Sequence, residues 1–408
     1  MPANTFRQTF RSLRHRNYRL YFFGQLVSLH GTWMQTVAQA WLVYRLTNSS
    51  FMLGLVAFCS LAPVLVLGLL GGVVADRYRR RKLLIAGHTA AMVHAAVLAM
   101  LTFGGWITAW QIVVLALILG VVLAFEMPAR HAFITELVPR EDLPNAIPLN
   151  SSVFNVARFV GPSIAGWLVA FYGEGTVFLV NAASFAAVLV ALLMIRVVER
   201  PAAPAAGSVY GHLLQGLEFA WRQPRIRAGL LVVGMISLVA ASVTVLMPVF
   251  AKETFSGGPT TLGLLLAAIG MGALAGALRL AYRLSGDGLE RSIGVATVGA
   301  GICVLVFSFI DTLALALPIL VFAGFAHTTA AASTNTLIQL NVDDRLRGRV
   351  MSLFSMIFIG LMPLGSLLAG ALAQRLGAPA TVGLFGLGCS AAAAGYLYST
   401  RRKLPASG

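Results

Sequence analysis

Polar side chains recur along one apolar stretch near the start of the chain, at spacings of three, four, three and four residues. They are Gln25, Ser28, Thr32, Gln35 and Gln39. This spacing puts all five on one face of an α-helix. In apolar surroundings such a face needs a water-filled substrate cavity or a second helix, and we expect the cavity. Trp33 beside them either stacks on an aromatic ligand or faces lipid.

A second polar pair, Asn155 and Arg158, lies three residues apart within another apolar stretch. The helical rise puts Arg158 about 15 Å into that stretch. A guanidinium at this depth either binds an anionic substrate or pairs with a carboxylate, for which Glu126 is the candidate. We include Asn155 and Arg158 among the expected cavity residues.

A group that titrates inside a water-filled cavity can take up and release protons there. Glu126 is the carboxylate that lies clearly within an apolar stretch, and His30 and His327 lie within two others. We expect proton coupling from these three, and packing or surface positions for His88 and His94. The three cysteines lie in different stretches, which indicates small core residues and no disulfide or metal site.

The composition indicates which elements carry these residues. Residues of the set AVILMFWYC make up 58% of the 408, and charged residues only 11%, whereas a soluble domain has about 25% charged residues. Most of the surface must therefore face lipid. Twelve apolar runs are long enough to cross a bilayer as helices, and they lack the alternation of a membrane barrel. They are 18–44, 52–75, 83–103, 110–128, 148–171, 176–197, 226–251, 262–284, 293–310, 313–337, 350–376 and 378–400.

The net charge is +16, and the positions of the positive residues indicate how the chain is oriented in the membrane. With both termini inside, all 30 Lys and Arg fall on the inner side except Arg45, Arg158, Lys252 and Arg375. Such a bias orients a multi-pass membrane protein. It argues against nucleic acid as a partner.

Repeated motifs divide the chain into two halves. Gly72 and Gly276, and likewise Gly166 and Gly370, are each 204 positions apart. We therefore expect an all-α membrane protein of two pseudo-twofold-related six-helix halves, with the cavity at their interface. The halves are 1–197 and 226–408, joined by a cytoplasmic linker, 198–225, with an amphipathic helix on the inner membrane surface.

The segment after the second run carries a motif that resembles the signature of the major facilitator superfamily. The matching residues are Gly72, Asp76, Arg77, Arg80 and Arg81. The resemblance implies that Asp76 meets the N-terminus of the eleventh helix and holds the inner side closed. It also implies that Arg80 pairs with an acid at the inner end of the fourth helix, where Glu126 is the available acid. Alternatively, the basic run only fixes the topology. We expect Gly72 to let a neighbouring helix approach closely.

Another motif, in the fifth run, resembles the superfamily motif that is typical of exporters that exchange substrate for protons. It consists of Gly161, Pro162 and Gly166, with Ala165 in place of a further glycine. The alternative is that these small residues only allow tight helix packing.

Three longer stretches, 17–47, 128–162 and 347–370, resemble the branch of the superfamily that includes the enterobactin exporter, the transmembrane secretion effectors. The resemblance implies a monomeric exporter of siderophore- or drug-like molecules in the bacterial inner membrane, driven by the proton gradient and without a cofactor. Its partners would be a small-molecule substrate and membrane lipids. A lipid or lysolipid flippase or an importer is the alternative, and a non-transporting sensor or anchor is a more remote one. The chain shows no phosphate-binding loop, zinc spacing or nucleophile elbow, so we expect no enzyme activity.

Overall fold

The computed structural model describes residues 10–196, 217–281 and 288–401, and these residues form helices and short connections without a β-strand. The long helices are α1 (Arg16–Thr47), α2 (Ser50–Arg77), α3 (Arg80–Phe103), α4 (Ala109–Leu137), α5 (143–172), α6 (174–194), α7 (Pro224–Val249), α8 (Pro259–Ala281), α9 (Leu289–Phe307), α10 (Leu313–Asn341), α11 (Asp344–Leu376) and α12 (Ala378–Arg401). Short helical turns at Arg11–Arg14, Arg140–Asp142 and Phe250–Thr254 flank them.

Ten helical stretches in the described residues are long and apolar enough to cross a membrane. One of them, Arg140–Met194, contains two spans, because the backbone at Gly173 is non-helical, with φ 78° and ψ 169°. The helix Arg16–Thr47 is not among the ten, since its polar face lowers its hydropathy. Together these helices account for the twelve predicted spans, and the all-α membrane fold is confirmed.

The fourth helix is longer than the apolar pattern predicted. It continues through Pro128 to Leu137, and the fifth helix begins at Leu143 rather than at residue 148. Proline removes one helical hydrogen bond, but membrane helices tolerate this loss at a kink. As a result Arg130 and Glu136 lie on a helix instead of in a loop.

Two compact units make up the chain, one of Met1–Leu46 and Cys59–Ala206, the other of Thr47–Phe58 and Gly207–Gly408. The division after Ala206 falls within the expected linker, 198–225. Most of the expected linker helix lies outside the described residues, but 217–222 are helical. There Ala220 is buried against Ile226, while Trp221 is exposed.

Within the first unit, α2 and α4 pack through glycines set against carbonyl groups. A Cβ added to Gly71 would overlap the carbonyl oxygen of Ala124, and one added to Gly120 would lie 2.9 Å from that of Cys59. Each carbonyl precedes a proline by four residues, Pro128 for Ala124 and Pro63 for Cys59, and so has lost its helical N–H donor. The glycines let the facing helix approach these carbonyls closely.

Close glycine contacts recur in the second unit at the offset of 204. Gly324 on α10 packs closely on α8, as Gly120 on α4 packs on α2. Gly365 on α11 packs on α7, as Gly161 on α5 packs on α1. Equivalent glycines therefore join equivalent helix pairs, which supports the internal repeat.

Candidate functional site

A buried polar cluster joins three helices of the first unit. Glu126 on α4 is only 4% exposed, and its Oε1 lies 3.9 Å from Nε2 of His88 on α3 and 3.6 Å from Nε of Arg130. The amide nitrogen of Gln25 on α1 lies 3.3 Å from Nε2 of His88 and donates to the hydroxyl oxygen of Tyr21 across 3.1 Å. We call these five residues the Glu126 cluster.

The carboxylate of Glu126 is close to two basic groups but lacks a short hydrogen bond. Its Oε1 has no hydrogen-bond partner among the described residues, and both contacts are longer than the 2.7–3.2 Å typical of N–H···O bonds. Gly87 on α3 leaves room for the stem of the side chain, since a Cβ there would lie 3.2 Å from Cβ and Cγ of Glu126. The backbone of α3 therefore packs close to Glu126, whose carboxyl group has only long contacts with basic groups.

The polar face of α1 mostly packs inside the first unit. Four of its five residues are buried: Gln25, Ser28, Gln35 and Gln39. Oε1 of Gln35 accepts a hydrogen bond of 2.7 Å from Asn181 on α6, and Thr32 donates to the carbonyl of its own helix one turn earlier. Both amides, of Gln25 and of Gln35, therefore reach polar partners on neighbouring helices of the same unit, and their place in a substrate cavity stays a prediction. The repeat of polar residues defined the face correctly but did not show what the face meets.

Arg158 lies against aromatic rings. Its Cζ is 5.8 Å from the ring centroid of Trp33, and Phe154 meets the same indole edge-on at 5.5 Å. Among the described residues no carboxylate oxygen lies within 4.0 Å of its guanidinium, and the suggested partner, Glu126, instead faces Arg130. Asn155 lies one turn away and donates to its own helix. A lone Arg at the centre of a membrane helix costs about 2.5–3.5 kcal/mol on insertion scales.

The acid that meets Arg80 is Glu136. Nη1 of Arg80 donates to Oε1 of Glu136 across 2.7 Å, and Nη2 lies 3.8 Å from Oδ1 of Asp76. The predicted pairing with Glu126 is wrong. It assumed that α4 ended near Pro128, whereas the helix continues and carries Glu136 at its inner end.

Arg81 has a structural position in the same motif. Its Nε donates to the carbonyl of Leu192 across 2.7 Å, and its Nη2 donates to that of Leu193 across 2.9 Å. The last carbonyls of a helix lack intrahelical donors and carry partial negative charge, which a cation stabilises. Arg81 therefore caps the C-terminus of α6, whereas Arg77 is exposed.

The glycine of the motif does not make the close contact that was expected of it. A Cβ added to Gly72 meets no atom within 4 Å, whereas one added to Gly71 meets Ala124. The close approach is therefore at the preceding residue. The side chain of Asp76 is 45% exposed, and its contact with the N-terminus of α11 stays a prediction.

The remaining predicted residues contact their own helix or one neighbouring helix. Nδ1 of His30 lies 2.6 Å from the carbonyl of Leu26 in its own helix, and the ring of His327 stacks on Phe358 at 6.3 Å. Gly161, Pro162 and Gly166 are buried. Gly161 lies against Trp33, since a Cβ there would come within 2.7 Å of the Trp33 Cβ.

Asp142, which follows α4, forms an ionic cluster with the N-terminal segment. Its carboxylate lies 2.7 Å from Nε of Arg11, 2.9 Å from Nη2 of Arg14 and 2.6 Å from Nε2 of His15. The side chain is only 1% exposed. The hydrogen bond with His15 and the neighbouring guanidinium groups hold the pKa of Asp142 below its ordinary value. No local pattern in the sequence indicates this cluster, because Asp142 lies more than a hundred residues after Arg11, Arg14 and His15.

At the outer end of the unit, Arg45 makes a two-point contact with Glu174. Nε donates to Oε1 across 2.7 Å and Nη2 donates to Oε2 across 3.2 Å. Glu174 is buried immediately after the break at Gly173, so the pair fixes the turn between α5 and α6 to the end of α1.

The family model and the similar proteins of known name point to the same family. The family model described as transmembrane secretion effector matches residues 7–407. The chain is 29% identical to the staphyloferrin A transporter of Staphylococcus aureus, with 90% of this chain and 92% of that protein covered. It is also 29% identical to the multidrug efflux pump Tap of Mycolicibacterium fortuitum, with 89% and 90% covered. Macrolide efflux protein A of Streptococcus pyogenes is 23% identical, with 89% and 92% covered.

Solved structures show the same fold. The nucleoside transporter NupG matches with a TM-score of 0.70 at 16% identity, covering 95% of this chain and 99% of that one. A POT family transporter matches with a TM-score of 0.75 at 13% identity, covering 96% and 97%. At these identities the likeness concerns the fold alone.

Proposed function

The chain belongs to the transmembrane secretion effector family of multi-pass membrane transporters, and on that premise we propose that it exports small molecules in exchange for protons. Its relatives include proteins named as efflux pumps and as a siderophore transporter, which supports a siderophore- or drug-like cargo. The proposal includes a monomer in the bacterial cytoplasmic membrane, with both termini inside, as the distribution of Lys and Arg indicates.

The observation that carries the proposal is the environment of Glu126. A carboxyl group that is 4% exposed, with one oxygen unpaired and a guanidinium 3.6 Å away, has two reasonable states. Ionised, it is attracted to Arg130; protonated, it no longer carries a buried charge. In the proposed exchange, Glu126 is the position at which the proton binds.

The contacts of the cluster supply a route from protonation to helix movement. His88 lies between Glu126 and Gln25, so the cluster connects α4 through α3 to α1. Two opposite unit charges about 4 Å apart attract each other by about 4 kcal/mol at an effective dielectric constant of about 20. A change of this size is enough to shift an equilibrium between two conformations that differ by a few kcal/mol. Protonation of Glu126 would thereby favour one arrangement of the three helices.

The experiment measures accumulation of a macrolide and of staphyloferrin A in inverted membrane vesicles, with and without an imposed pH gradient. We expect the gradient to increase accumulation of at least one cargo, and Glu126→Gln to abolish the increase while cargo still equilibrates. Glu141→Gln is the matched control, since Glu141 is an exposed carboxylate shortly after the same helix.

Three results would contradict the proposal. Gradient-driven accumulation that survives unchanged in Glu126→Gln would place proton coupling elsewhere. Gradient-driven uptake into right-side-out vesicles would show an importer on the same scaffold, and movement of labelled lysolipid without either cargo would show a flippase.

A further inference from the structure

The middle of the first unit holds a cation that the proton-coupling cluster does not use. Arg158 lies 15 residues from both the start of α5 at Leu143 and the break at Gly173, about 22 Å from each by helical rise. A bilayer core is about 30 Å thick, so this position is far from both headgroup layers. The guanidinium is therefore out of reach of a lipid headgroup in its ordinary place.

The groups around Arg158 supply ring surfaces and no negative charge. Trp33 faces the guanidinium at 5.8 Å, and Phe154 meets the indole edge-on. The described residues place no carboxylate oxygen within 4.0 Å of it, and none of its N–H groups has an assigned acceptor there. The indole ring of Trp33 thus packs against the guanidinium group of Arg158, while the N–H groups of that guanidinium have no carboxylate partner among the described residues.

The neighbouring turn of α5 adds a hydrogen-bond acceptor. Pro162 lies four residues after Arg158 and has no N–H, so the carbonyl oxygen of Arg158 lacks its helical donor. One turn of one helix thus presents both a planar set of N–H donors and a carbonyl oxygen.

We propose that Arg158, Trp33 and Phe154 bind an aromatic carboxylate, with the carboxylate on the guanidinium and the ring against the two aromatic side chains. The fork of N–H groups on Arg matches a carboxylate in two-point contact. A flat ring fits the indole and phenyl surfaces in stacked or edge-on geometry. This inference rests on the proposed function, since it names the class of cargo that the transporter would carry.

The experiment measures equilibrium binding of radiolabelled 2-naphthoate to the purified full chain in lipid nanodiscs, without a gradient. Neutral 2-naphthamide tests the contribution of the charge, and decanoate tests whether an aliphatic fatty acid is an equally good ligand. We expect naphthoate to bind tenfold or more tightly than either, since a charge-assisted bond and ring stacking each contribute.

Variants separate the two contributions. We expect Arg158→Gln to weaken naphthoate binding about tenfold and naphthamide binding less than twofold. Trp33→Leu keeps the Cβ that packs on Gly161, and we expect it to weaken both aromatic probes. Arg19→Gln removes an exposed charge from the inner part of α1 and is the matched control.

Equal loss of naphthoate and naphthamide in Arg158→Gln would overturn the inference, as it would show a structural arginine. Equal affinity for decanoate and naphthoate would also overturn it, by showing a fatty-acid site. Because binding is measured without a gradient, the two proposals fail separately. Tight naphthoate binding without proton-driven export would contradict only the proposed function, and proton-driven export without naphthoate binding would contradict only this inference.

Discussion

The guanidinium of Arg80 donates to the carboxylate of Glu136 across 2.7 Å and so joins the inner end of α3 to the inner end of α4. Both side chains are mostly buried, at 20% and 18% exposure. The same guanidinium lies 3.8 Å from Asp76, too far for a strong bond. The pair therefore stabilises the folded first unit, and Asp76 contributes little to that stability.

A double-mutant cycle tests this pair. We expect Arg80→Gln and Glu136→Gln each to lower the unfolding free energy by about 1–3 kcal/mol, since each leaves a partly buried charge without its partner. The coupling energy between them should be about 1 kcal/mol or more. The measurement is unfolding of the purified protein in mixed detergent. Coupling of Arg80 to Glu126 that equals its coupling to Glu136 would contradict the structure.

Asp76 gives the complementary prediction. We expect Asp76→Asn to abolish vesicle transport and to change the unfolding temperature little, because its side chain is 45% exposed and has only a long contact with Arg80. Transport and thermal unfolding are measured on the same preparation. Near-normal flux would exclude a gating role for Asp76.

The sequence predicted the helices well and the partners of individual residues less well. Apolar length gave the twelve spans, since a helix must satisfy its own backbone in lipid. The apolar run of α4 ends at Pro128, so the pattern does not show that the helix continues to Glu136, which is the acid that pairs with Arg80. Helical periodicity identified the polar face of α1, but periodicity cannot show whether Gln35 meets a cavity or Asn181. Contacts between distant segments have no signal in a single sequence.

The glycines of α2 provide a stability prediction. Gly71→Ala should lower the unfolding free energy by about 1–3 kcal/mol, because the new Cβ would overlap the carbonyl of Ala124 and force α2 and α4 apart. Gly68→Ala is a control on the same helix, where a Cβ meets nothing within 4 Å. It should stabilise the helix by about 0.5–1 kcal/mol.

The variant Gly72→Ala tests whether Gly72 itself makes a close helix contact. Its Cβ position is also open, so Gly72→Ala should not destabilise the protein. Unfolding in mixed detergent is measured for all three variants. A larger loss for Gly72→Ala than for Gly71→Ala would restore the expectation that Gly72 makes the close helix contact.

The outer pair of Arg45 and Glu174 gives a further prediction. Glu174 is buried and receives two hydrogen bonds from Arg45. Glu174→Gln should lower the unfolding free energy by about 1–3 kcal/mol, since the guanidinium loses its charged partner. Arg375→Gln, which removes an exposed charge, is the control. Equal unfolding midpoints for Glu174→Gln and the natural protein would show that the pair does not stabilise the turn.

Asp142 makes the stability of the inner side depend on pH. Arg11, Arg14 and His15 face its carboxylate from the N-terminal segment, and Arg140 and Glu141 precede it on its own turn. Its pKa is lowered in the folded protein, chiefly by the hydrogen bond with His15. A lowered pKa stabilises the fold above the unfolded value of 3.8, and this contribution is lost as the pH falls through the folded value.

We therefore expect Asp142→Asn to lower the unfolding temperature by a constant amount from about pH 8 to about pH 5. Below the ordinary pKa of an aspartate the difference should shrink, because the natural side chain is then protonated and loses its attraction to the three basic groups. Thermal unfolding in detergent across this range measures the difference. Glu141→Gln, which removes the exposed neighbouring carboxylate, should show no comparable loss at any of these pH values. A difference that already disappears between about pH 7 and pH 6, well above the ordinary pKa of an aspartate, would show that the ionised carboxylate of Asp142 does not stabilise the fold.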